Sequence, residues 1–193
     1  FIALSNLLPS QYDNLSTELK KKFDEWHDVS NHSDEQFVEL CIHKDIDILI
    51  DLAGYTSGNR INAFRARCAP IQVLWCGYCN TLGIQNMDYI IADKNLIYSN
   101  EEKFYSEKVI YLPEIWNTHC GFDFERKENS PPFLKNKYFT FGSFNNFDKI
   151  NIDVISTWSK ILKKIDNSKL ILKTSSKKLA TKRLKKLFEK ENV

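Results

Sequence analysis

The residues best suited to binding chemistry begin in the segment 54–60, GYTSGNR, which closely follows an apolar run at 46–52. Gly54 and Gly58 allow the backbone to bend and to approach a ligand closely. Ligands of open α/β sheets bind beyond the carboxyl ends of the strands, and both this segment and a second loop at 76–83 follow a strand-like run. The sequence therefore predicts a ligand-binding edge built from these two loops.

Three side chains of the first loop, Tyr55, Thr56 and Arg60, can supply hydrogen bonds. Arg60 stands where a helix begins, and the free N–H groups of a helix N-terminus favour an anionic or polyhydroxyl ligand. A polar turn between a strand and a helix, with Arg60 at the surface, explains the same residues equally well. From the residues alone, both interpretations stay open.

A second candidate segment, YFTFGSFNNFDKIN at 138–151, places Asn146 and Lys149 between a predicted strand and a predicted helix. At these positions, both side chains could contact a phosphate group of a ligand. A lysine ammonium is a compact cation that neutralises charge developing on a phosphate leaving group. The competing interpretation is a capped loop with an exposed lysine, which is the commoner position of a single lysine.

Five cysteines and four histidines offer little metal chemistry. Cys76 and Cys79 form a C-x-x-C pair, but a second pair at zinc-type spacing is missing from the sequence, which favours unrelated thiols. The histidines are scattered and lack partners at ligand spacing. An odd number of irregularly spaced cysteines is typical of a reducing compartment, so we expect a cytoplasmic protein without a metal site.

Composition excludes several classes of protein. The chain has 193 residues, of which 42% are hydrophobic and 27% charged, with a mean hydropathy of −0.40, as in a globular protein. It lacks an apolar run near 18 residues long, which excludes a membrane-spanning helix. The sequence starts at Phe1 and its one methionine is Met87, so we expect it to be part of a longer polypeptide.

Charge is distributed unevenly along the chain. Residues 1–148 carry 14 Lys and Arg against 21 Asp and Glu, whereas residues 149–193 carry 13 against 4. Such a basic stretch is found in nucleic-acid-binding tails. Here the basic residues recur at helical spacing without interleaved stacking aromatics, which favours the solvated faces of two amphipathic helices.

Hydrophobic periodicity predicts alternating helices and strands. Ser33, followed by Gln36, has the pattern of a capping box that opens a helix. The predicted helices cover 15–26, 33–42, 60–67, 154–165 and 179–190, and the predicted strands cover 46–52, 71–75, 88–92, 109–112, 138–144 and 169–173. This alternation indicates βαβ units and a mostly parallel sheet. The charged, proline-bearing stretch 122–136 is predicted to be a linker.

Short motifs then recur in order along most of the chain, from Asp24 to Leu187. They are GYTSGNR at 54–60, AP-IQ-x-x-W at 69–75, GY at 77–78, MDY at 87–89, YSEK at 105–108, LP at 112–113 and FNNFDKI at 144–150. Together they resemble the catalytic region of the protein O-GlcNAc transferases, a glycosyltransferase family that includes SPINDLY-type and bacterial TPR-linked members. Each motif alone is only weakly specific for this family, whereas the whole set in this order is a strong indication of it.

This resemblance implies an α/β GT-B fold, in which two Rossmann-like lobes flank the active site. It assigns 1–121 to the C-terminal part of the N-lobe, 122–136 to the interlobe linker and 137–193 to the first βαβα part of the nucleotide-binding C-lobe. Both lobes would then be incomplete in this chain. The resemblance further implies TPR repeats elsewhere in the full-length polypeptide.

The resemblance also implies an activity, the transfer of N-acetylglucosamine from UDP-GlcNAc to Ser or Thr side chains of proteins with inversion at the anomeric carbon. The implied partners are a UDP-sugar and a protein or peptide acceptor, and the implied reaction uses no metal or other cofactor. We expect neither a membrane nor nucleic acid as a partner. Related members that use GDP-fucose offer one alternative donor. An alternative from another class is a non-catalytic α/β module whose basic face at 149–193 binds nucleic acid or a protein partner.

Site residues follow from the same resemblance. Lys149 matches the family lysine that steadies the departing diphosphate, and it is the implied catalytic residue. Asn146 takes a position that contacts the nucleotide. The residues that match the surroundings of the sugar and the acceptor are Tyr55, Thr56, Gly58, Arg60 and Gly77.

Overall fold

The computed structural model describes residues 1–117, 121, 129–173 and 178–193. The chain divides into two units, Phe1–Gly121 and Phe122–Val193. Within each unit, every described pair of neighbouring strands is parallel. Parallel neighbours need crossover connections, so this pairing confirms the predicted βαβ organisation.

The first unit carries its strands in two sheets. In chain order its elements are β1 (Ile2–Ser5), α1 (Asn14–Lys20), β2 (Glu25–Asp28), α2 (Asp34–His43), β3 (Ile48–Asp51), α3 (Ile61–Arg65), β4 (Ile71–Leu74), β5 (Tyr89–Ala92) and β6 (Lys108–Tyr111). Strands β1 and β2 form one pair, and the other four form a sheet in the order β3-β4-β5-β6. Short 3₁₀ helices lie in the loops at Pro9–Gln11 and Glu102–Phe104.

Helix α2 begins where the sequence predicts. The Ser33 hydroxyl accepts a hydrogen bond from the Gln36 N–H at 3.2 Å, and the Gln36 side chain accepts one from the Ser33 N–H at 2.9 Å. This reciprocal pair satisfies two free N–H groups at the start of the helix. The predicted capping box is therefore confirmed.

The main core lies between helices α2 and α3 and one face of the four-stranded sheet. Its buried side chains include Phe37, Cys41, Leu49, Ile61, Phe64, Leu74 and Ile90. Burying a side chain of this size contributes about 1.5–3 kcal/mol. The opposite face of the sheet carries exposed Ile48, Ile50 and Ile110. Helices α2 and α3 therefore cover one face of this sheet and hold its strand ends in place.

The predicted helix over 15–26 is wrong beyond Lys20. Helix α1 ends there, and Glu25–Asp28 forms β2, which pairs with β1. Leu15 and Leu19 on the helix are exposed, so their spacing does not mark a buried face. Strand pairing between segments distant in the sequence outweighs the local helical period.

Strand β1 is the partner that the sequence analysis missed. It is four residues long and partly buried along its length, so its apolar pattern is too short to register as a strand. In β2, Trp26 packs edge-on against Tyr12 and Phe23, with ring centroids 6.0 and 5.9 Å away. The Tyr12 hydroxyl also donates to the Ser5 hydroxyl of β1 at 3.0 Å, so this aromatic cluster connects the two strands from one side.

The second unit contains α4 (Pro132–Asn136), β7 (Thr140–Ser143), α5 (Ile152–Lys164), β8 (Lys169–Leu172) and α6 (Lys178–Lys190). Strands β7 and β8 pair in parallel. Buried Ile150, Ile155 and Leu184 form the centre of its core. The predicted strand–helix–strand–helix order is present, and the two helices are the ones predicted to carry the lysine-rich faces.

Part of the predicted linker 122–136 is helical. Its last five residues form α4, with a proline in the first turn, while 122–128 lie outside the described residues. Lys137 follows with a left-handed backbone, φ 61°, and its N–H donates to the Phe133 carbonyl at 2.8 Å. Proline at the start and a left-handed residue at the end explain why so short a helix forms here.

An ion pair joins the loop before β4 to the start of β5. Two guanidinium nitrogens of Arg67 donate to the two carboxylate oxygens of Asp88 at 2.8 and 2.9 Å. The Gln72 N–H donates to the same carboxylate at 2.8 Å. The hydrogen bond from Arg67, together with that from the Gln72 backbone, holds the pKa of Asp88 below its usual value.

Replacing Asp88 with Asn should lower the free energy of unfolding at pH 7 by about 1–3 kcal/mol, because the charge-assisted bonds from Arg67 are lost. A carboxyl whose pKa is lower in the folded state stabilises the fold above its unfolded pKa, near 4, and loses that effect as the pH falls. The deficit of Asp88→Asn should therefore shrink between about pH 5 and pH 2. Urea unfolding across this range measures it, with Glu39→Gln, an exposed carboxylate on α2, as the control. An equal deficit at pH 7 and pH 2 would contradict the ion-pair explanation.

Candidate active site

The two loops predicted to bind a ligand start side by side. Strands β3 and β4 are neighbours, and Asp51 at the end of β3 stands in register with Leu74 at the end of β4. The Trp75 N–H extends the pairing by donating to the Asp51 carbonyl at 2.9 Å. The loops 52–60 and 75–83 therefore leave the same edge of the sheet, as the sequence predicts.

Two glycines let these loops lie against each other. A Cβ at Gly77 would stand 1.8 Å from the Leu52 carbonyl oxygen, which is backbone and cannot rotate away. Gly54 has φ +55°, and a Cβ there would stand 2.2 Å from the Cβ of Tyr78. Only glycine fits such approaches. The family resemblance implied that Gly77 is a site residue, which stays a prediction, and the structure shows why a glycine is needed at this position.

The Asp51 carboxylate holds the start of the first loop by hydrogen bonds, and the sequence analysis did not identify this residue. Asp51 is 6% exposed, and its carboxylate accepts hydrogen bonds from the N–H groups of Ala53 and Gly54 at 2.9 and 3.0 Å. Burial raises the pKa of this carboxyl, while the two backbone bonds oppose the shift. An aspartate followed within three residues by glycine after a buried strand is a turn signal that could have identified it.

The hydroxyl groups of Tyr55 and Thr56 both donate hydrogen bonds to backbone carbonyls of this protein. The Tyr55 hydroxyl donates to the Leu82 carbonyl at 2.6 Å, which links the first loop to the second. Its ring meets Tyr78 edge-on at 5.6 Å and is otherwise open, because Tyr55 is 47% exposed. The Thr56 hydroxyl donates to the Ala53 carbonyl at 2.8 Å. Both residues thus hold the loop in shape and present the ring of Tyr55 to solvent.

Arg60 clamps the first loop to the residues that directly follow β1 and β2, and to the start of α2. Its Nε and Nη2 donate to the Asn6 side-chain oxygen at 3.1 and 2.9 Å, and Nη2 also donates to the Val29 carbonyl at 2.5 Å. Its Nη1 donates to the His32 carbonyl at 2.6 Å and to the Asp34 carboxylate at 3.3 Å. The side chain is 15% exposed. Arg60 is therefore a positioning residue, and its direct contact with a substrate stays a prediction.

Gly58 takes part in the same clamp. It has φ +77°, a conformation that favours glycine, and its carbonyl accepts a hydrogen bond from the Asn6 side-chain amide. Asn6 thus binds both Gly58 and Arg60. Its sequence surroundings contain no motif that would have revealed this, since the contact spans more than fifty residues.

The second predicted segment lies in the second unit and is described by itself. After β7, the Asn146 side chain caps a short 3₁₀ helix, Phe147–Lys149, by accepting from the Asp148 N–H at 3.3 Å. Asn151 then caps α5 by accepting from the Val154 N–H at 2.9 Å. Lys149 is exposed, and among the described residues its ammonium has no ion-pair or hydrogen-bond partner. A free cation thus stands just ahead of a helix N-terminus.

The remaining candidates for site chemistry do not come together. Cys76 and Cys79 are exposed and free, while His119 and Cys120 lie outside the described residues. Among the described residues, no three His, Cys, Asp or Glu side chains are grouped so that they could hold a metal ion. No helix in the described ranges is both long enough and apolar enough to cross a bilayer.

Comparison with known proteins identifies the class. The family model described as "Glycosyl transferase family 41" matches residues 4–121. Because that match covers more than half of the sequence, the chain belongs to glycosyl transferase family 41. The four-stranded parallel sheet and the two glycine-dependent loops lie within the matched range.

Individual relatives agree with this family. The chain is 35% identical, over 153 residues, to the "probable UDP-N-acetylglucosamine–peptide N-acetylglucosaminyltransferase SPINDLY" of Eustoma exaltatum subsp. russellianum, covering 79% of this chain and 17% of that protein. It is 35% identical, over 158 residues, to the correspondingly named SEC protein of Arabidopsis thaliana, covering 75% of this chain and 16% of that protein. The chain therefore spans a small part of the curated relatives that it matches.

A solved structure matches along the whole chain. It is a mutant of the Thermobaculum terrenum O-GlcNAc transferase, similar with a TM-score of 0.83 and 27% sequence identity, over 100% of this chain and 36% of that one. The predicted family resemblance and the α/β GT-B fold class are thereby confirmed. The division into lobes and the individual site residues stay predictions.

Replacing Gly77 with Ala should lower the free energy of unfolding by about 3 kcal/mol, because the new methyl group overlaps the Leu52 carbonyl and the loops must separate. Gly83→Ala is the matched control, since Gly83 has φ +63° but a Cβ there meets nothing within 4 Å. That change should cost about 1 kcal/mol, from the backbone conformation alone. Chemical unfolding compares the two, and equal losses would show that the contact with Leu52 is not what demands a glycine.

Proposed function

We propose that the intact protein is an inverting glycosyltransferase that transfers N-acetylglucosamine from UDP-GlcNAc to Ser or Thr hydroxyls of proteins. The observation that carries this proposal is membership of glycosyl transferase family 41. The names of the SPINDLY and SEC relatives, which specify UDP-N-acetylglucosamine and a peptide acceptor, support the donor and the acceptor class.

Lys149 is the proposed catalytic residue. When a hydroxyl attacks the anomeric carbon, the bond to UDP breaks and negative charge grows on the diphosphate. The Lys149 ammonium, which has no partner among the described residues, can contact that diphosphate. A positive group positioned there stabilises the transition state. Lys149 fits this role because it is exposed, unpaired among the described residues and close in sequence to the N-terminus of α5. Asn146 holds the turn that carries it and is proposed to contact the nucleotide.

The first unit is proposed to position the sugar and the acceptor. Gly58 and Gly77 let the backbone of the two loops come near a ligand, and the open ring of Tyr55 offers an apolar surface beside them. Rigid loops matter here because holding two reactants in the correct geometry supplies much of the rate enhancement. Arg60 would act through the loop by keeping it fixed to the β1–β2 pair.

The proposal includes no resident metal or organic cofactor, since Lys149 and backbone donors take the part of the cation. It further includes TPR repeats elsewhere in the full-length polypeptide, a cytoplasmic location, and neither a membrane nor nucleic acid as partner. The TPR repeats and the metal-free reaction follow from the family resemblance, whereas the location and the absence of a membrane or nucleic-acid partner follow from the composition and spacing of the residues.

Lys149→Met in the intact protein should lower kcat by about a hundredfold or more while leaving thermal unfolding unchanged, because an exposed cation is lost and no core contact is broken. Lys160→Met is the matched control, since Lys160 is also exposed in the second unit but lies on helix α5 away from the 3₁₀ turn. Initial rates with UDP-GlcNAc and a Ser/Thr peptide measure the effect. Turnover of Lys149→Met near the wild-type rate would remove Lys149 from the proposed mechanism.

The donor is tested separately by mass analysis of the acceptor peptide after incubation with UDP-GlcNAc or with GDP-fucose. Addition of N-acetylhexosamine alone is the expected result, whereas addition of deoxyhexose alone would establish the alternative donor. No transfer from either donor, combined with retention on nucleic acid that falls steeply with salt, would instead favour the non-catalytic module.

A further inference from the structure

A buried carboxylate, that of Glu107, accepts two hydrogen bonds from the second loop, 75–83. Glu107 directly precedes β6 and is 3% exposed. One of its oxygens accepts from the Leu82 N–H at 2.8 Å, and the other accepts from the Thr81 hydroxyl at 2.7 Å. The YSEK motif at 105–108 contains this glutamate. The mechanism proposed for sugar transfer does not use it.

The Thr81 hydroxyl oxygen fixes the same part of the loop. It accepts hydrogen bonds from the Gly83 N–H at 3.1 Å and from the Ser106 N–H at 3.3 Å. Residues 81–84 belong to no helix or strand, so these bonds take the place of regular secondary structure. The Leu82 side chain is 3% exposed and packs in the main core. Both the backbone and the side chain of Leu82 are therefore held in place.

The donors to Glu107 are neutral groups. Within the described ranges, none of the ion pairs includes this carboxylate. Burying a carboxylate is costly unless hydrogen bonds satisfy its oxygens, and here a backbone N–H and a hydroxyl do so. A buried polar network whose members are satisfied makes the surrounding structure rigid. Glu107 therefore specifies where the backbone of the second loop lies.

Leu82 connects this network to the first loop. Its carbonyl accepts a hydrogen bond from the Tyr55 hydroxyl at 2.6 Å. The ring of Tyr55 meets Tyr78 edge-on at 5.6 Å and is otherwise open to solvent. Hydrogen bonds shorter than 3 Å thus lead from Glu107 through Leu82 to Tyr55. A displacement of Leu82 would move the group that holds the Tyr55 hydroxyl.

We propose that Glu107 is a positioning residue, which holds Tyr55 and the first loop in place through the backbone of Leu82. Its effect on sugar transfer rests on the proposed function, in which Tyr55 borders the sugar and the acceptor. Without Glu107, the buried Leu82 N–H loses its acceptor, and the loop must shift to find another one. The reactants then lose their alignment, and a displacement of about 1 Å can lower the rate by about a hundredfold.

Amide hydrogen exchange in the intact protein tests the connection without any transfer assay. Glu107→Ala should speed exchange at Leu82 by about tenfold or more, because a buried N–H is left without an acceptor. Exchange in the loop 52–60 should rise with it. Tyr55→Phe, which removes one oxygen and keeps the ring, should also speed exchange at Leu82.

Asp88→Asn is the matched control for these measurements. Asp88 is also a carboxylate that directly precedes a strand of the same sheet, and it also accepts a backbone N–H. It has no hydrogen bond to either loop, since its partners are Arg67 and Gln72. Asp88→Asn should therefore leave the local opening of both loops unchanged.

Steady-state kinetics of the intact protein tests the effect on transfer, at a temperature at which each variant is folded. Glu107→Ala should raise the KM for the acceptor peptide and lower kcat, so that kcat/KM falls about tenfold to a hundredfold. A purely structural role would reduce the folded fraction, which lowers kcat and leaves KM unchanged. Glu107→Gln keeps an oxygen for the Leu82 N–H and should restore KM to within about threefold of the wild type. Combining Tyr55→Phe with Glu107→Ala should cost less than the sum of the two, because both act through Leu82.

Two results would overturn the proposal. One is unchanged exchange in the loop 52–60 of Glu107→Ala, and the other is faster exchange there with wild-type KM and kcat. Where Glu107→Ala does not fold, Glu107→Asp replaces it, because it draws the carboxylate back by one methylene group and keeps its charge. A wild-type protein that transfers no sugar would contradict the proposed function alone, since the exchange rates still decide whether Glu107 holds the first loop.

Discussion

The candidate site of the first unit depends on one close approach, that of the Gly77 backbone to the Leu52 carbonyl oxygen. Strands β3 and β4 end in register, so the loops that follow them compete for the same space beyond the sheet. A side chain at Gly77 would push the loops apart, and one at Gly54 would collide with Tyr78. Glycine at both positions lets the two backbones pack together. The hydrogen bond from Tyr55 to Leu82 then ties one loop to the other.

Long-range polar contacts carry this local arrangement into the rest of the unit. The guanidinium of Arg60 donates to Asn6 and Val29, which directly follow β1 and β2, and to the start of α2. The side chain of Asn6 accepts from Arg60 and donates to the Gly58 carbonyl. A guanidinium has a rigid, forked set of donors, which suits it to joining several backbone segments at once. These hydrogen bonds therefore attach the loop 52–60, which follows a strand of the four-stranded sheet, to the chain that follows the β1–β2 pair.

Sequence reasoning succeeded where structure is decided locally. The run 46–52 is apolar and β-branched, and it contains β3. Ser33 and Gln36 form the predicted capping box because both partners lie within one helical turn. It failed where a distant partner decides. The segment after Lys20 has a helical period, yet pairing with β1 makes it a strand. The contacts of Arg60 also involve residues far away in the sequence, which no local pattern records, while its place near a ligand stays a prediction.

The sequence by itself determined the family and the parallel α/β class, because ordered motifs and alternating apolar runs depend only on which residues follow one another. It also singled out Lys149 and the glycines as residues of interest. Only the tertiary structure decided that Gly77 must lack a side chain and that Arg60 donates to backbone carbonyls that are distant in the sequence. Each of these depends on atoms brought within a few ångströms by chain crossovers, and spacing along one strand or helix carries no record of such distances.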